Sequence, residues 1–272
     1  MTLKFSGRAV QLLLAATIIA AAFASGCSGG QSSAVNVVGS TSVQPFAELL
    51  AEEYARENPE ENIEVQGGGS TAGLQAASNG LADIGMCSRA LKPEEAEQFT
   101  GIVIARDGLA FVVNPANPVQ SLTTDQLRGL FDGSIANWKE VGGDEGPVRP
   151  ITREEGSGTR ESFVKLVMGE SRISRRALTQ ESNGAVKELV KGDPAAIGYM
   201  SLGLVGHDLK AVLVDGVEPT VQNVLAGGYH LTRPFLFVTK GTAVPGAQRF
   251  IDYVLSPVGQ AALKTEGLVP IQ

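Results

Sequence analysis

Cysteine and histidine are scarce in this chain of 272 residues, with two of each. So few cysteines cannot build a disulfide framework, and no zinc-ligand spacing can be assembled from the four residues together, so no metal site is expected. His207 and His230 stand far apart in loop-like settings without a third partner, and surface or packing roles are expected for both. Runs of Lys and Arg are also missing and the formal charge is -7, which disfavours nucleic acid or acidic lipid held by a positive surface. No G-x-x-x-x-G-K-[ST] phosphate loop is present, which argues against nucleotide hydrolysis, and no cofactor is expected. Gly 33 and Pro 13 are too few for a low-complexity polymer. What is present is 43% hydrophobic and 19% charged residues, enough to bury a large core in one or two globular domains.

Lys4 and Arg8 precede an apolar stretch from Val10 to Ala24, which is shorter than the roughly 20 residues a membrane-spanning helix needs. Small residues then lead to Cys27, and the whole reads as a secretory signal. Ala24-Ser25-Gly26-Cys27 resembles a bacterial lipobox, with Ala24 where Leu is frequent; the resemblance implies that the Cys27 thiol is acylated and becomes the new N-terminus. Residues 1–26 are therefore expected to be a signal peptide and 27–34 a lipidated tether, flexible through its Ser and Gly content. The body is expected outside the cytoplasm, lipid-anchored to the cell membrane and facing the periplasm or the cell exterior. Removing residues 1–26 takes Lys4 and Arg8 and no acid, moving the charge from -7 to -9. Cys87 is then alone, and in Ile84-Gly85-Met86-Cys87 it reads as a small buried residue.

The body alternates strand and helix patterns. Val35 to Val38, Ile63 to Val65 and Asp83 to Met86 read as strands, separated by helices carrying Phe46, Leu49, Leu50 and Tyr54, then Leu74 and Ala77. This βαβαβ rhythm predicts an α/β fold with a mainly parallel sheet and ligand binding at the carboxyl edge of its strands. Ile102 to Ile104 and Leu109 to Val113 read as extended pieces bracketing Asp107-Gly108. Thr123 to Gln126 is a capping box, and helices are expected at Phe163 to Val167, Val186 to Val190 and Phe250 to Val254. A middle unit inserted into a first one is the expected arrangement: lobe 1 from residues 35–112 and 232–272, lobe 2 from 113–231, with hinge crossings near 111–114 and 231–236.

Gly39-Ser40-Thr41-Ser42, Gly69-Ser70-Thr71 and Gly156-Ser157-Gly158-Thr159 each follow a predicted strand and open a predicted helix. Backbone N–H groups and hydroxyl donors at the positive end of a helix suit an anion. Ordinary helix caps are the alternative for any one turn. Arg153, three residues before Gly156, is placed to add a full positive charge and a bidentate contact; a surface Arg is the alternative.

These turns, with Ala82-Asp83-Ile84-Gly85, Arg153-Glu154-Glu155 and Gly192 to Tyr199, resemble the phosphate-binding protein (PstS) family of the bacterial Pst importer. The resemblance covers nearly the whole exported body. It implies a two-lobed, periplasmic-binding-protein-like fold of type II that closes over inorganic phosphate and delivers it to the membrane subunits of an ABC permease, as a monomer and not as an enzyme. By the same resemblance Thr41, Ser42 and Ser70 donate from one lobe, and Arg153, Ser157, Gly158 and Thr159 from the other. Ser88, followed by Arg89, stands where the family pattern has an Asp that accepts the ligand's proton. Ser88 and Glu155 both remain open as acceptors, with Glu155 read more readily as a support for Arg153; Arg89 is read either as pocket charge or as a solvated side chain. The departure leaves sulfate, molybdate and tungstate as alternative ligands.

The S-x-x-K pattern of Ser162 and Lys165 matches serine acyl-transfer enzymes, but no Ser-Asp-Asn or Lys-Thr-Gly companion occurs and the stretch fits an amphipathic helix. Changing Cys27 to Ala is expected to release the protein from membranes; in a fractionation experiment, continued retention would argue against the anchor.

Overall fold

The structure, a computed structural model, describes residues 34–271. The signal segment 1–26, Cys27 and tether residues 27–33 lie outside the described residues. The body opens with β1 (Val35–Gly39), α1 (Gln44–Glu57), β2 (Ile63–Gly67), α2 (Ser70–Ser78) and β3 (Ile84–Cys87). Proline in its first turn starts α1, and Phe46, Leu50 and Tyr54 recur at four-residue spacing on its buried face. β1 pairs in parallel with both β2 and β3, so the turns that open α1 and α2 and the end of β3 gather at one sheet edge.

β4 runs unbroken from Thr100 to Val113. The two extended pieces expected on either side of Asp107-Gly108 are therefore a single long strand, with Asp107 in cross-strand register with Arg233. Beyond it come α3 (Thr124–Asp132), β5 (Arg149–Arg153), α4 (Gly158–Phe163), β6 (Leu178–Gln180), α5 (Asn183–Gly192), β7 (Ala196–Ser201), β8 (Thr232–Thr239), α6 (Pro245–Leu255) and α7 (Pro257–Thr265). The capping box at α3 forms, with Thr123 accepting from the Gln126 N–H. A wider π turn over Val164–Met168 continues α4.

The main ladder runs β2-β1-β3-β8-β4-β7-β5-β6. Both flanks are parallel, as expected, but the three pairings at the centre, β3 with β8, β8 with β4 and β4 with β7, are antiparallel. The centre departs from the parallel expectation because β4 and β8 are long crossing strands that return the chain between two cores. One core takes Leu50, Ile84, Phe235 and Phe250. The other takes Phe111, Phe131, Phe163 and Tyr199. Along β4 the side chains change allegiance between Ala105 and Leu109, and on the return between Leu231 and Phe235. The fold is thus two-lobed, with the crossing strands shared.

Aromatic rings dominate the second core. Phe163 stacks on Tyr199 with centroids 4.2 Å apart, and Phe131 meets Phe163 edge-on at 4.7 Å. Among the described residues no helix is long and apolar enough to cross a membrane. Phe131→Ala is expected to destabilise the protein by about 3–5 kcal/mol through lost burial and a residual cavity. Urea unfolding measures this, and a loss below about 1 kcal/mol would show that the ring is not held in a close-packed core.

Candidate anion-binding site

Three turns expected to face a ligand do converge. From the first lobe, Ser42 at the entrance to α1, Ser70 at the first position of α2 and Ser88 just beyond β3 are all fully buried. Ser70 Oγ accepts from the Ser88 N–H at 3.1 Å and lies 3.4 Å from Ser88 Oγ, tying two of these turns together. Gly69 shapes the approach with φ +91°, a conformation that disfavours side chains, and its N–H donates to the Gly39 carbonyl at 2.9 Å.

The opposite wall is the turn from β5 into α4. Arg153 ends β5 and is 1% exposed. Its Nη2 donates to Thr41 Oγ1 across the cleft at 3.1 Å, while Nε and Nη2 each hold a Glu154 oxygen at 2.9 Å. The partner that steadies Arg153 is therefore Glu154 and not the expected Glu155, which is exposed. Glu154 sets both its carboxylate oxygens against the guanidinium.

Ser157 caps α4, its Oγ accepting from the Arg160 N–H at 3.2 Å, so its hydroxyl makes the ordinary cap contact. Thr159 Oγ1 lies 2.7 Å from Ser42 Oγ, and the Gly156 carbonyl accepts from the Thr71 N–H at 3.1 Å. A Cβ on Gly158 would run into Ser70 Oγ and Ser88 Oγ, so only glycine lets the two walls approach this closely. All eight expected residues thus fall in one neighbourhood: Thr41, Ser42, Ser70 and Ser88 against Arg153, Ser157, Gly158 and Thr159.

Arg89 fits neither reading made of it. It is buried, and its charge is matched by Glu95, 2.6 Å from Nη1, and by Glu161, 2.9 Å from Nε. Glu161 belongs to α4 of the other lobe and is also held by Lys92 at 3.0 Å, so these charges bridge the lobes beside the hydroxyl cluster. Ser162 donates to the Ser88 carbonyl at 3.2 Å, whereas Lys165 is exposed. That serine has a partner other than its S-x-x-K lysine. His207 and His230 are exposed, Cys87 is a buried free thiol, and among the described residues no cluster of His, Cys, Asp and Glu is fit to hold a metal.

Reading by turns missed two contributors. Asn183, the first residue of α5, is buried; with its amide oxygen turned to the cleft it accepts from Ser42 Oγ at 2.7 Å and Arg153 Nη1 at 3.2 Å. Arg233 on β8 reaches Ser42 Oγ at 3.3 Å. Strand parity carried the missing signal for Arg233: it shares the inward phase of Phe235 and Phe237. Its partner Asp107 likewise shares the phase of Leu109 and Phe111.

With two lobes, crossing strands and a hydroxyl-lined cleft established, the family comparison is decisive. A family model described as a PBP superfamily domain matches residues 24–258. The phosphate-binding protein PstS of Bacillus subtilis (strain 168) is 34% identical over 245 residues, covering 88% of this chain and 81% of the relative. The chain belongs to the PBP superfamily and, within it, to the PstS family. Among solved PstS-like structures, a Clostridium perfringens substrate-binding protein with bound phosphate superposes with a TM-score of 0.85 at 39% identity, covering 88% of this chain and 100% of that one. An ABC-type phosphate transport receptor from Vibrio cholerae gives 0.72 at 39% identity, covering 86% and 99%.

Burial opposes ionisation of Glu95, but hydrogen bonds from Arg89 and the Lys92 N–H outweigh it and hold its carboxyl below the usual 4.5. A depressed folded value means stability that is fully present above 4.5 and lost as the pH falls through the folded value. Thermal melting across that acid range is expected to show a shallower loss for Glu95→Gln than for the wild type; identical slopes would remove Glu95 from the acid response.

Proposed function

We infer that this PstS-family protein captures inorganic phosphate between its lobes outside the cytoplasmic membrane and delivers it to an ABC permease. The observation that carries this reading is the meeting of buried hydroxyls from Ser42, Ser70 and Ser88 with the buried Arg153 and the Thr159 turn. Such a cluster replaces the hydration of an oxyanion by fixed donors, which lose little on binding because they are already oriented. Thr41, Ser42, Ser70 and Ser88 are read as donors from lobe 1, and Arg153, Ser157, Gly158 and Thr159 as donors from lobe 2. Asn183 adds a further buried polar group beside Ser42. The negative net charge is compatible with this, because a buried ligand responds to nearby dipoles more than to screened surface charges.

Lobe 1 is read as residues 35–112 with 232–272, and lobe 2 as 113–231. The exchange of core partners after Ala105 favours moving the first hinge point a few residues earlier on β4. Hinge bending there would open and close the walls. The protein is read as non-catalytic and monomeric, and as held to the membrane through a lipid on Cys27. That Ser162 serves the Ser88 carbonyl supports the non-catalytic reading.

One observation keeps other tetrahedral oxyanions in competition. Glu154 and Asp107, the carboxylates behind the two arginines that reach the cluster, are each held by an Arg, which leaves hydroxyls and the Asn183 amide to accept a ligand proton. Calorimetry with phosphate, sulfate, arsenate and molybdate separates the cases. Phosphate is expected at micromolar affinity or tighter, about -8 kcal/mol or better. Equal sulfate affinity would reject phosphate selectivity, and no heat with any oxyanion would reject the class. Arg153→Ala is expected to weaken phosphate by about 2–5 kcal/mol, and an unchanged affinity would remove it from the site.

A further inference from the structure

Asp107 and Arg233 form an ion pair sealed from water, with side-chain exposures of 0% and 2%. They face each other across the two crossing strands, β4 and β8, in direct register. Arg233 Nε and Nη2 both lie 2.9 Å from Asp107 Oδ2, and Ser201 donates to Oδ1 at 2.8 Å. The guanidinium also lies 5.2 Å from the Phe235 ring, which helps to fix its plane.

The remaining guanidinium contacts point toward the cluster of hydroxyls. Nη2 donates to Ser42 Oγ at 3.3 Å and Nη1 to the Ser88 carbonyl at 3.5 Å. Ser42 Oγ is the atom that meets Thr159 of the opposite lobe, and the Ser88 carbonyl is the one that receives Ser162. Arg233 therefore stands behind two of the places where the walls touch.

Stability alone does not account for such a pair. Taking two charges out of water costs several kcal/mol per ion, and apolar residues of similar volume at such positions are often as stabilising or more so. Nor is its charge a duplicate of Arg153's, since Arg153 is matched by Glu154 on the opposite wall. What the pair adds is an oriented dipole, with Arg233 toward the cluster and Asp107 behind it. A dipole of fixed direction in a dry site acts on the ligand with little screening.

We propose that Arg233 is a second anion-recognising guanidinium at the floor of the cleft, and that Asp107 positions it and limits the positive charge the ligand meets, so that the pair sets which oxyanion charge the site favours. This rests on the oxyanion-binding reading above. Removing only the Asp107 charge leaves Arg233 unmatched and should favour a doubly charged ligand over a singly charged one.

Calorimetry at about pH 6 tests this with sulfate, which is doubly charged, and phosphate, which is then mostly singly charged. For Asp107→Asn, the ratio of sulfate to phosphate affinity is expected to rise at least tenfold over the wild type. A pair that only supports the fold would weaken both ligands alike, and an unchanged ratio overturns the proposal. Should Asp107→Asn not fold, the double variant Arg233→Met with Asp107→Leu removes both charges at similar volume. It is expected to melt cooperatively and to bind phosphate at least tenfold more weakly, and an affinity equal to the wild type overturns the proposal. Wild-type protein that binds neither anion overturns the oxyanion reading itself, which separates that failure from failure of the pair's role.

Discussion

An oxyanion taken out of water must find fixed donors in place of its hydration shell, and that requirement organises this protein. No single strand-to-helix turn supplies enough of them. In the proposed site Ser42, Ser70 and Ser88 come from successive turns of one lobe, while Arg153 and Thr159 come from the other. The cluster exists only where the two lobes meet, so capture and closure are one event in the proposed function. The parallel flanks of the sheet bring the turns to a common edge, and the antiparallel crossing strands between them set the distance from wall to wall.

Charge is handled locally. Arg153 is braced by Glu154, Arg233 by Asp107 and Arg89 by Glu95 and Glu161. Each of these three guanidiniums therefore comes with a carboxylate that limits its desolvation cost and fixes its direction. The cleft can present strong donors without a large excess of positive charge, in keeping with an acidic chain. Glycine contributes through absence: Gly158 removes the one Cβ that would hold Ser70 and Ser88 away from the opposite wall.

The alternating elements, the helices with their buried faces and the three hydroxyl-rich turns were legible in the chain because each depends on residues a few positions apart. Ser157 shows the limit of that reading, since its hydroxyl caps a helix as an ordinary serine would. Asp107-Gly108 looked like a break between two extended pieces, because Asp followed by Gly is a common turn signal. In the fold Asp107 lies mid-strand opposite Arg233, 126 positions away, and no local rule could weigh that pairing. Arg89 was undecided for the same reason: its partner Glu161 belongs to the other lobe.

By itself the sequence determined which segments become strands and helices, and which turns carry hydroxyls and amides suited to an anion. Short-range periodicity and capping chemistry decide those features before the chain meets itself. Only the tertiary structure decided that the turns share one cleft, which carboxylate braces each arginine, and that Asp107 and Arg233 close its floor. Thr159 meets Ser42 from 117 positions away and Arg233 meets Asp107 from 126, and such meetings come from sheet register and lobe packing, which residue order alone does not reveal.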